Sequence, residues 1–335
     1  MNAIEVQNLS KHFTLRKKRN SNQKKKGGKQ QISANQISNG VLRAVDMISF
    51  IVKRGEIFGL LGPNGAGKTT TIRMLTGVLQ PTKGEITVFG KRLRKNKLLI
   101  QQIMGHVPEM ANAYLDLTGM QNLELIGELY SVPKKEREKR AELLLKKFEL
   151  FGRRDSKAKN YSKGMKQRLL LCMALMSEPE ILFLDEPTAG LDVPSSLIIK
   201  DLIREYNSEG MTIILTTHDL DVANELCDRI AIVNKGKIIG LDTPENLRKL
   251  KQEYLAIDVS FDQQVEKEVL EQFENVKEVQ ERPNYYHIIV HHLNQAICEV
   301  TDYVKSHGLQ ITKLTTYEPK LEEVFLKMIN GGNKE

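Results

Sequence analysis

Residues Gly62 to Thr69 read GPNGAGKT and fit the pattern G-x-x-x-x-G-K-[ST]. A loop of this kind wraps phosphate: glycines let the backbone approach the anion, and the N–H groups point inward. Lys68 would reach the β- and γ-phosphates, and the Thr69 hydroxyl would hold Mg²⁺. The candidate nucleotide-binding residues are therefore Gly62, Pro63, Asn64, Gly65, Ala66, Gly67, Lys68, Thr69 and Thr70. The apolar stretch Glu56 to Leu61 reads as a strand before the loop, and TTTIRMLTG as a helix after it, closed by Gly77. A chance Gly-rich turn would lack that setting.

ILFLDEP, Ile181 to Pro187, is four apolar residues followed by two carboxylates. The apolar run reads as a strand buried on both faces. At its C-terminal end Asp185 would hold Mg²⁺, and Glu186 would polarise an attacking water as general base. TIILTTHD repeats the design and delivers His218 at the end of another apolar strand. Ligands of open α/β sheets bind at that edge. The phosphate loop, the carboxylate pair and His218 should thus converge, although they are far apart in the chain. YSKGMKQRL, Tyr161 to Leu169, poses a question. Ser162 and Gly164 sit at the start of a basic helical run, where a hydroxyl and unpaired N–H groups can receive a second anion.

These residues need a scaffold, and the chain supplies one. Its 335 residues, 40% apolar and 27% charged, suit two or three domains with their own cores. No apolar run approaches the ~18 residues of a membrane span, and the N-terminus lacks the apolar region of a signal peptide. Cys172, Cys227 and Cys298 are widely spaced and read as small core residues in a reducing compartment. Strands and helices alternate through the phosphate loop, ILFLD and TIILTTH, which predicts a parallel sheet with helices on its faces. Residues from about 93 to 178 read as mostly helical, with Leu143, Leu144 and Phe148 facing inward. Beyond about residue 250 the order becomes βαββαβ, with an amphipathic helix in QQVEKEVLEQF, and predicts a small ferredoxin-like α+β domain. His287, His291 and His292 do not share one strand face, so they are not read as a metal site.

Taken together, the motifs resemble those of the nucleotide-binding subunit of an ABC transporter. The phosphate loop matches Walker A, ILFLDE matches Walker B, and YSKGM matches the signature loop, usually LSGGQ, with Lys163 and Met165 in place of Gly and Gln. AGLD, Ala189 to Asp192, matches the D-loop, His218 the switch histidine, and Phe13 the aromatic that stacks on adenine. Glu109, in GHVPEM, stands where the Q-loop normally carries Gln. That Glu and the C-terminal extension TKLTTYEPKLEEVFLKMI point to the drug-exporting ABC-2 branch. The resemblance implies an α/β P-loop NTPase of ABC type over residues 1–250: a mainly parallel sheet with helices, an antiparallel β subdomain, and a helical subdomain at about 93–178 that carries the signature. The α+β extension domain would occupy 253–330. It also implies the answer to the question above: two subunits pair head to tail, so that Ser162, Gly164 and Asp192 serve the partner's ATP. ATP and Mg²⁺ are the implied cofactors, with Thr69, Asp185 and Glu109 toward the metal and Glu186, His218 and Lys68 in catalysis. The implied partners are a second nucleotide-binding subunit, most simply another copy of this chain, and a separate transmembrane permease. The permease would dock near Met110 to Leu123, at the cytoplasmic face of the membrane. The cargo has no signal in this chain. A soluble ABC ATPase acting on ribosomes or DNA is disfavoured by the single cassette and the absence of long coiled coils; a GTPase, by the absence of N-K-x-D; a degenerate regulatory module, by intact Lys68, Asp185, Glu186 and His218.

The net charge of +8 is uneven: residues 11–45 contain ten Lys or Arg and no Asp or Glu, leaving about −2 for the rest. Residues 16–42 have no counterpart in the family pattern. Two readings stand for residues 16–29: a solvated loop inserted in the first hairpin, or a contact with anionic lipid headgroups, to which each nearby basic residue adds ~1 kcal/mol. Nucleic acid is disfavoured because the arm has no aromatic for base stacking. Deletion of residues 17–38 separates the two. Lipid contact predicts loss of salt-sensitive binding to anionic liposomes with ATP hydrolysis preserved; the solvated loop predicts no change in either.

Overall fold

The computed structural model describes residues 2–14, 37–38, 40–109, 113–249, 255–317 and 321–331. The basic residues 16–29, and Met110 at the start of the expected docking stretch, lie outside the described residues. The chain divides into two compact units, Met1–Thr243 and Pro244–Glu335.

The first unit opens with β1 (Asn2–Thr14), β2 (Ile37–Ser38), β3 (Val41–Lys53) and β4 (Ile57–Leu61), followed by helix α1 (Lys68–Leu75). Next come β5 (Lys83–Val88), β6 (Lys91–Arg92), α2 (Lys97–Gln102), β7 (Met104–Val107), α3 (Gly119–Leu129), α4 (Lys134–Lys147) and α5 (Lys163–Leu175). It closes with β8 (Ile181–Asp185), α6 (Val193–Ser208), β9 (Thr212–Thr217), α7 (Leu220–Leu226), β10 (Arg229–Asn234) and β11 (Lys237–Asp242).

The wholly apolar runs become the middle of the main sheet. Among the described residues that sheet has the order β11-β10-β4-β9-β8-β7. Neighbours from β10 to β7 are parallel, and β10 turns back on β11 as an antiparallel hairpin. Every residue of β4, β8 and β9 is buried, as expected of strands covered on both faces. A second, antiparallel sheet has the order β2-β3-β1-β5-β6. Its β1 and β3 pair as far as Thr14 opposite Val41, and β2 pairs with the other edge of β3, Ser38 opposite Val41.

The region 93–178 departs from its sequence reading in two ways. β7 lies within it as a strand of the main sheet; four residues are too few to show a period. Leu143 is exposed, whereas Leu144 and Phe148 are buried, because the buried stripe of α4 runs through Ala141, Leu144, Leu145 and Phe148 at helical spacing and Leu143 lies off it. Local chemistry fixes the rest. Thr118 and Gln121 form a capping box at the start of α3. The buried Asn122 accepts from Tyr114 N at 2.8 Å and donates to the Tyr114 and Thr118 carbonyls at 3.1 and 2.8 Å. It thereby pins the stretch where a permease is expected to dock.

The second unit contains α8 (Pro244–Lys249), β12 (Ala256–Phe261), α9 (Lys267–Leu270), β13 (Val276–Arg282), β14 (Tyr285–Val290), α10 (Leu293–His307), β15 (Ile311–Tyr317) and α11 (Leu321–Gly331). Its antiparallel sheet runs β13-β14-β12-β15, the ferredoxin-like order. Ile257, Val259, Ile288, Val290, Ala296 and Val300 form its core. The helix expected through QQVEKEVLEQF is one turn, α9, with Val265 and Phe273 packed on the core from outside it. Cys172 and Cys227 are buried, but Cys298 is exposed on α10, against the sequence reading; all three are free thiols.

Phe58 at the centre of the main sheet is fully buried and stacks on Phe50, with ring centroids 5.2 Å apart. Phe58→Ala should destabilise the first unit by about 3–5 kcal/mol, read as a lower urea midpoint.

Candidate nucleotide site

The phosphate loop leaves β4 and enters α1. It is held by a hydrogen bond within the loop and by one from the neighbouring backbone. Ala66 N donates to Pro63 O at 3.1 Å, and Gly236 N to Ala66 O at 2.8 Å. Two glycines are dictated by these contacts. A Cβ on Gly62 would lie 2.2 Å from the Val233 carbonyl oxygen, and one on Gly67, where φ is +112°, would lie 2.5 Å from the Ala44 carbonyl oxygen. Gly67 directly precedes α1, so the loop passes into the helix N-terminus, where unpaired N–H groups and the helix dipole favour an anion.

Lys68 is buried under the loop. Its Nζ donates to Gly62 O at 2.6 Å and lies 3.3 Å from Glu186 Oε1. The other Glu186 oxygen, Oε2, is 2.9 Å from His218 Nδ1. One step back along the strand, Asp185 Oδ1 accepts from Thr69 Oγ1 at 3.2 Å and from Thr216 Oγ1. The structure therefore brings Lys68, Thr69, Asp185, Glu186 and His218 together at the C-terminal edge of β4, β8 and β9. Thr69 and Asp185 set two hard oxygen donors side by side, the donor type that Mg²⁺ takes. Glu186 has φ +53°, a left-handed backbone that costs a non-glycine residue of order 1–3 kcal/mol. Its N–H is anchored by the Thr216 carbonyl and hydroxyl oxygens, both at 3.1 Å.

The other predicted residues are placed less directly. Glu109 is exposed, two residues beyond the end of β7 and so at the same sheet edge. On β7, burial holds the His106 imidazole below its ordinary pKa against the raising influence of Asp185. His106 therefore adds no cation to the edge at neutral pH. Phe13 lies opposite Leu42 on β3, two positions from Ala44, with Lys11 Nζ 5.3 Å from its ring centre. Ser162 caps α5 by accepting from Met165 N at 3.2 Å. Gly164 is buried; a Cβ there would lie 2.3 Å from Ser195 Oγ. Asp192 precedes α6. Among the described residues no hydrogen bond or ion pair joins Ser162, Gly164 or Asp192 to the Lys68–Glu186 cluster.

Sequence reasoning missed Thr216. It read TIILTTH as an apolar carrier for His218, yet Thr216 lies in register with Asp185 and is fully buried. A hydroxyl in an otherwise apolar strand, level with a carboxylate on a neighbouring strand, was the available signal.

A glycine-shaped loop feeding a helix from a buried parallel strand, facing carboxylates at the same sheet edge, defines a P-loop nucleoside triphosphatase fold. The family model for ABC transporters matches residues 45–189, and that for the DrrA1-3-like ATP-binding protein C-terminal domain matches 246–329. The linearmycin resistance ATP-binding protein LnrL of Bacillus subtilis is 35% identical over 84% of this chain and 92% of its own length. The bacitracin transport ATP-binding protein BcrA of Bacillus licheniformis is 34% identical over 88% and 94%. Among solved structures, an ATP-binding subunit of an ABC transporter matches at 30% identity and TM-score 0.60, covering 74% of this chain and 92% of that one. A bacterial ABC transporter cassette solved as a dimer matches at 26% and TM-score 0.60, covering 72% and 98%. The chain belongs to the ABC transporter family of ATP-binding proteins, and it is an ATPase with a DrrA-like C-terminal domain.

Thr216→Val keeps shape and burial but removes the hydroxyl from Asp185 and from the Glu186 N–H. Steady-state ATP hydrolysis should fall about tenfold to a hundredfold, the scale of unsatisfied buried polar groups, with an unchanged far-UV spectrum. Full activity would show that the hydroxyl does not position these carboxylates.

Proposed function

We propose that the chain is the motor of a membrane exporter: two copies close on two ATP, and hydrolysis reopens them. The observation that carries this reading is the chain of contacts Lys68–Glu186–His218 beside the Thr69–Asp185 pair. Lys68 holds the β- and γ-phosphates, and the loop N–H groups wrap them. A triphosphate competes with Glu186 for the Lys68 ammonium and so frees the carboxylate for water. Glu186 orients that water and takes its proton as the oxygen bonds to the γ-phosphorus. The bond to the bridging oxygen breaks, and ADP and phosphate remain. His218, through Nδ1, holds the second Glu186 oxygen in place. Mg²⁺ would be held by Thr69 and Asp185, with Glu109 at the rim, and would neutralise phosphate charge. Phe13 stacks on adenine.

Ser162, Gly164 and Asp192 complete the second subunit's site. Their separation from the Lys68 cluster within one chain supports that assignment. The Ser162 hydroxyl and the α5 N-terminus then face the partner's γ-phosphate, so that hydrolysis removes the group that clamps the pair. No described helix is long and apolar enough to cross a membrane, in keeping with a separate permease that docks around residues 113–123 at the cytoplasmic face. The basic residues 16–29 would sit close enough to that face to meet anionic headgroups. Relatives named for linearmycin resistance and bacitracin transport support removal of an antibiotic as the work done, with cargo recognised by the permease.

Glu186→Gln should bind ATP and hydrolyse it ~10²–10⁴-fold more slowly, so that gel filtration with ATP shows a stable dimer. A monomer with ATP, or normal turnover, contradicts the scheme. Lys68→Ala and Ser162→Arg chains should each be inactive alone. Mixed, they should regain partial nucleotide trapping, because some dimers carry one intact site; mixed dimers without trapping would count against shared sites.

A further inference from the structure

The side chain of Lys163 has no role in the scheme above, and the family pattern places a glycine there. Lys163 follows Ser162 in the signature turn. Its Nζ donates to Ala189 O at 2.9 Å and to Gly190 O at 3.0 Å. Those carbonyls belong to the turn that leaves Glu186, which is closed by Ala189 N donating to Glu186 O at 3.2 Å and Leu191 N to Thr188 O at 3.3 Å. The left-handed backbone at Gly190, φ +65°, favours glycine, and the Lys163 ammonium sits where a Cβ would be, 2.3 Å away. The buried Gly164 packs against Ser195 on α6, so α5 also meets the helix that follows that turn. The signature turn and the turn after Glu186 are therefore bolted together within one chain.

We infer that Lys163 is a positioning residue that couples the two ATP sites of a dimer: a signature turn engaged by the partner's ATP sets, through this ammonium, the turn that carries its own chain's Glu186. The inference rests on the reading that Ser162 serves a second subunit's ATP. A glycine at this position could make no such link. Two hydrogen bonds from a charged donor hold the turn as a unit, and the path from Ala189 back to Glu186 is a single hydrogen-bonded turn.

Full-length Lys163→Met and Lys163→Arg chains test it by steady-state ATPase as a function of ATP concentration. Met keeps the stem without the charge; Arg can still donate to two carbonyls. The expected result for Lys163→Met is a kcat lower by about three- to tenfold. Its Hill coefficient should move from about two toward one, while half-saturation stays within about twofold. Lys163→Arg should restore both. Retained cooperativity with a raised half-saturation would mean that the ammonium meets the partner's phosphate directly and would overturn the inference. Equal losses in both variants with a lowered melting temperature would reduce Lys163 to a structural prop and also overturn it, as would wild-type behaviour in Lys163→Met. A wild-type chain that hydrolyses ATP without cooperativity, with Glu186→Gln monomeric in ATP, would instead remove the shared-site reading, and this inference with it.

Discussion

A buried ammonium governs this cassette. The Lys68 side chain is 6% exposed, and burying a charge is costly unless partners replace its water. The Gly62 carbonyl and the Glu186 carboxylate are those partners, and both are fixed by main-chain geometry. The carbonyl points inward because the loop curls around α1. The carboxylate arrives because β8 ends one residue earlier. In the proposed scheme a triphosphate would be a better partner than either, since it brings several charges and would meet the helix N-terminus as well. Affinity for nucleotide and release of Glu186 would then be two views of one exchange at Lys68.

The main sheet exists to make that exchange accurate. β4, β8 and β9 are parallel and in register, so their ends deliver the loop, Asp185–Glu186 and His218 to one edge. Thr216 fastens the edge from below: its hydroxyl serves Asp185 and its carbonyl the Glu186 N–H. The left-handed backbone at Glu186 is tolerated because those bonds over-determine it. That conformation turns the second carboxylate away from the strand direction and toward Lys68 and His218.

Much of this was legible in the sequence because it is written in runs of like residues. Short apolar runs such as IFGLL, ILFL and IIL read as strands buried on both faces, and the polar residues at their C-terminal ends were therefore expected to meet. The GPNGAGKT loop was legible for a different reason: its glycines answer backbone contacts that no other residue allows. The less visible features lack either kind of run. β7 is too short to show a period and is a strand only because β8 lies beside it. Thr216 is a small polar residue whose meaning depends on the register between β8 and β9. α9 was read as a long amphipathic helix because Val265, Val269 and Phe273 have helical spacing, yet Val265 and Phe273 reach the same core from outside a single helical turn. The contact from Lys163 to Ala189 and Gly190 joins segments with no local pattern in common.

The pairing of Thr14 with Val41 has a consequence for how this chain can change over time. β1 and β3 are held together there by their own hydrogen bonds, and β2 is held on the other edge of β3, so the chain from Thr14 to Ile37 joins two fixed ends. The entropic cost of joining such ends grows only with the logarithm of length, about 0.6 kcal/mol for each doubling. Sequence can be gained, lost or recoded at this point without touching the registers that build the catalytic edge. The hairpin is in that sense a cloning site provided by the fold, where new sequence can be accommodated while the strands of the catalytic edge keep their registers.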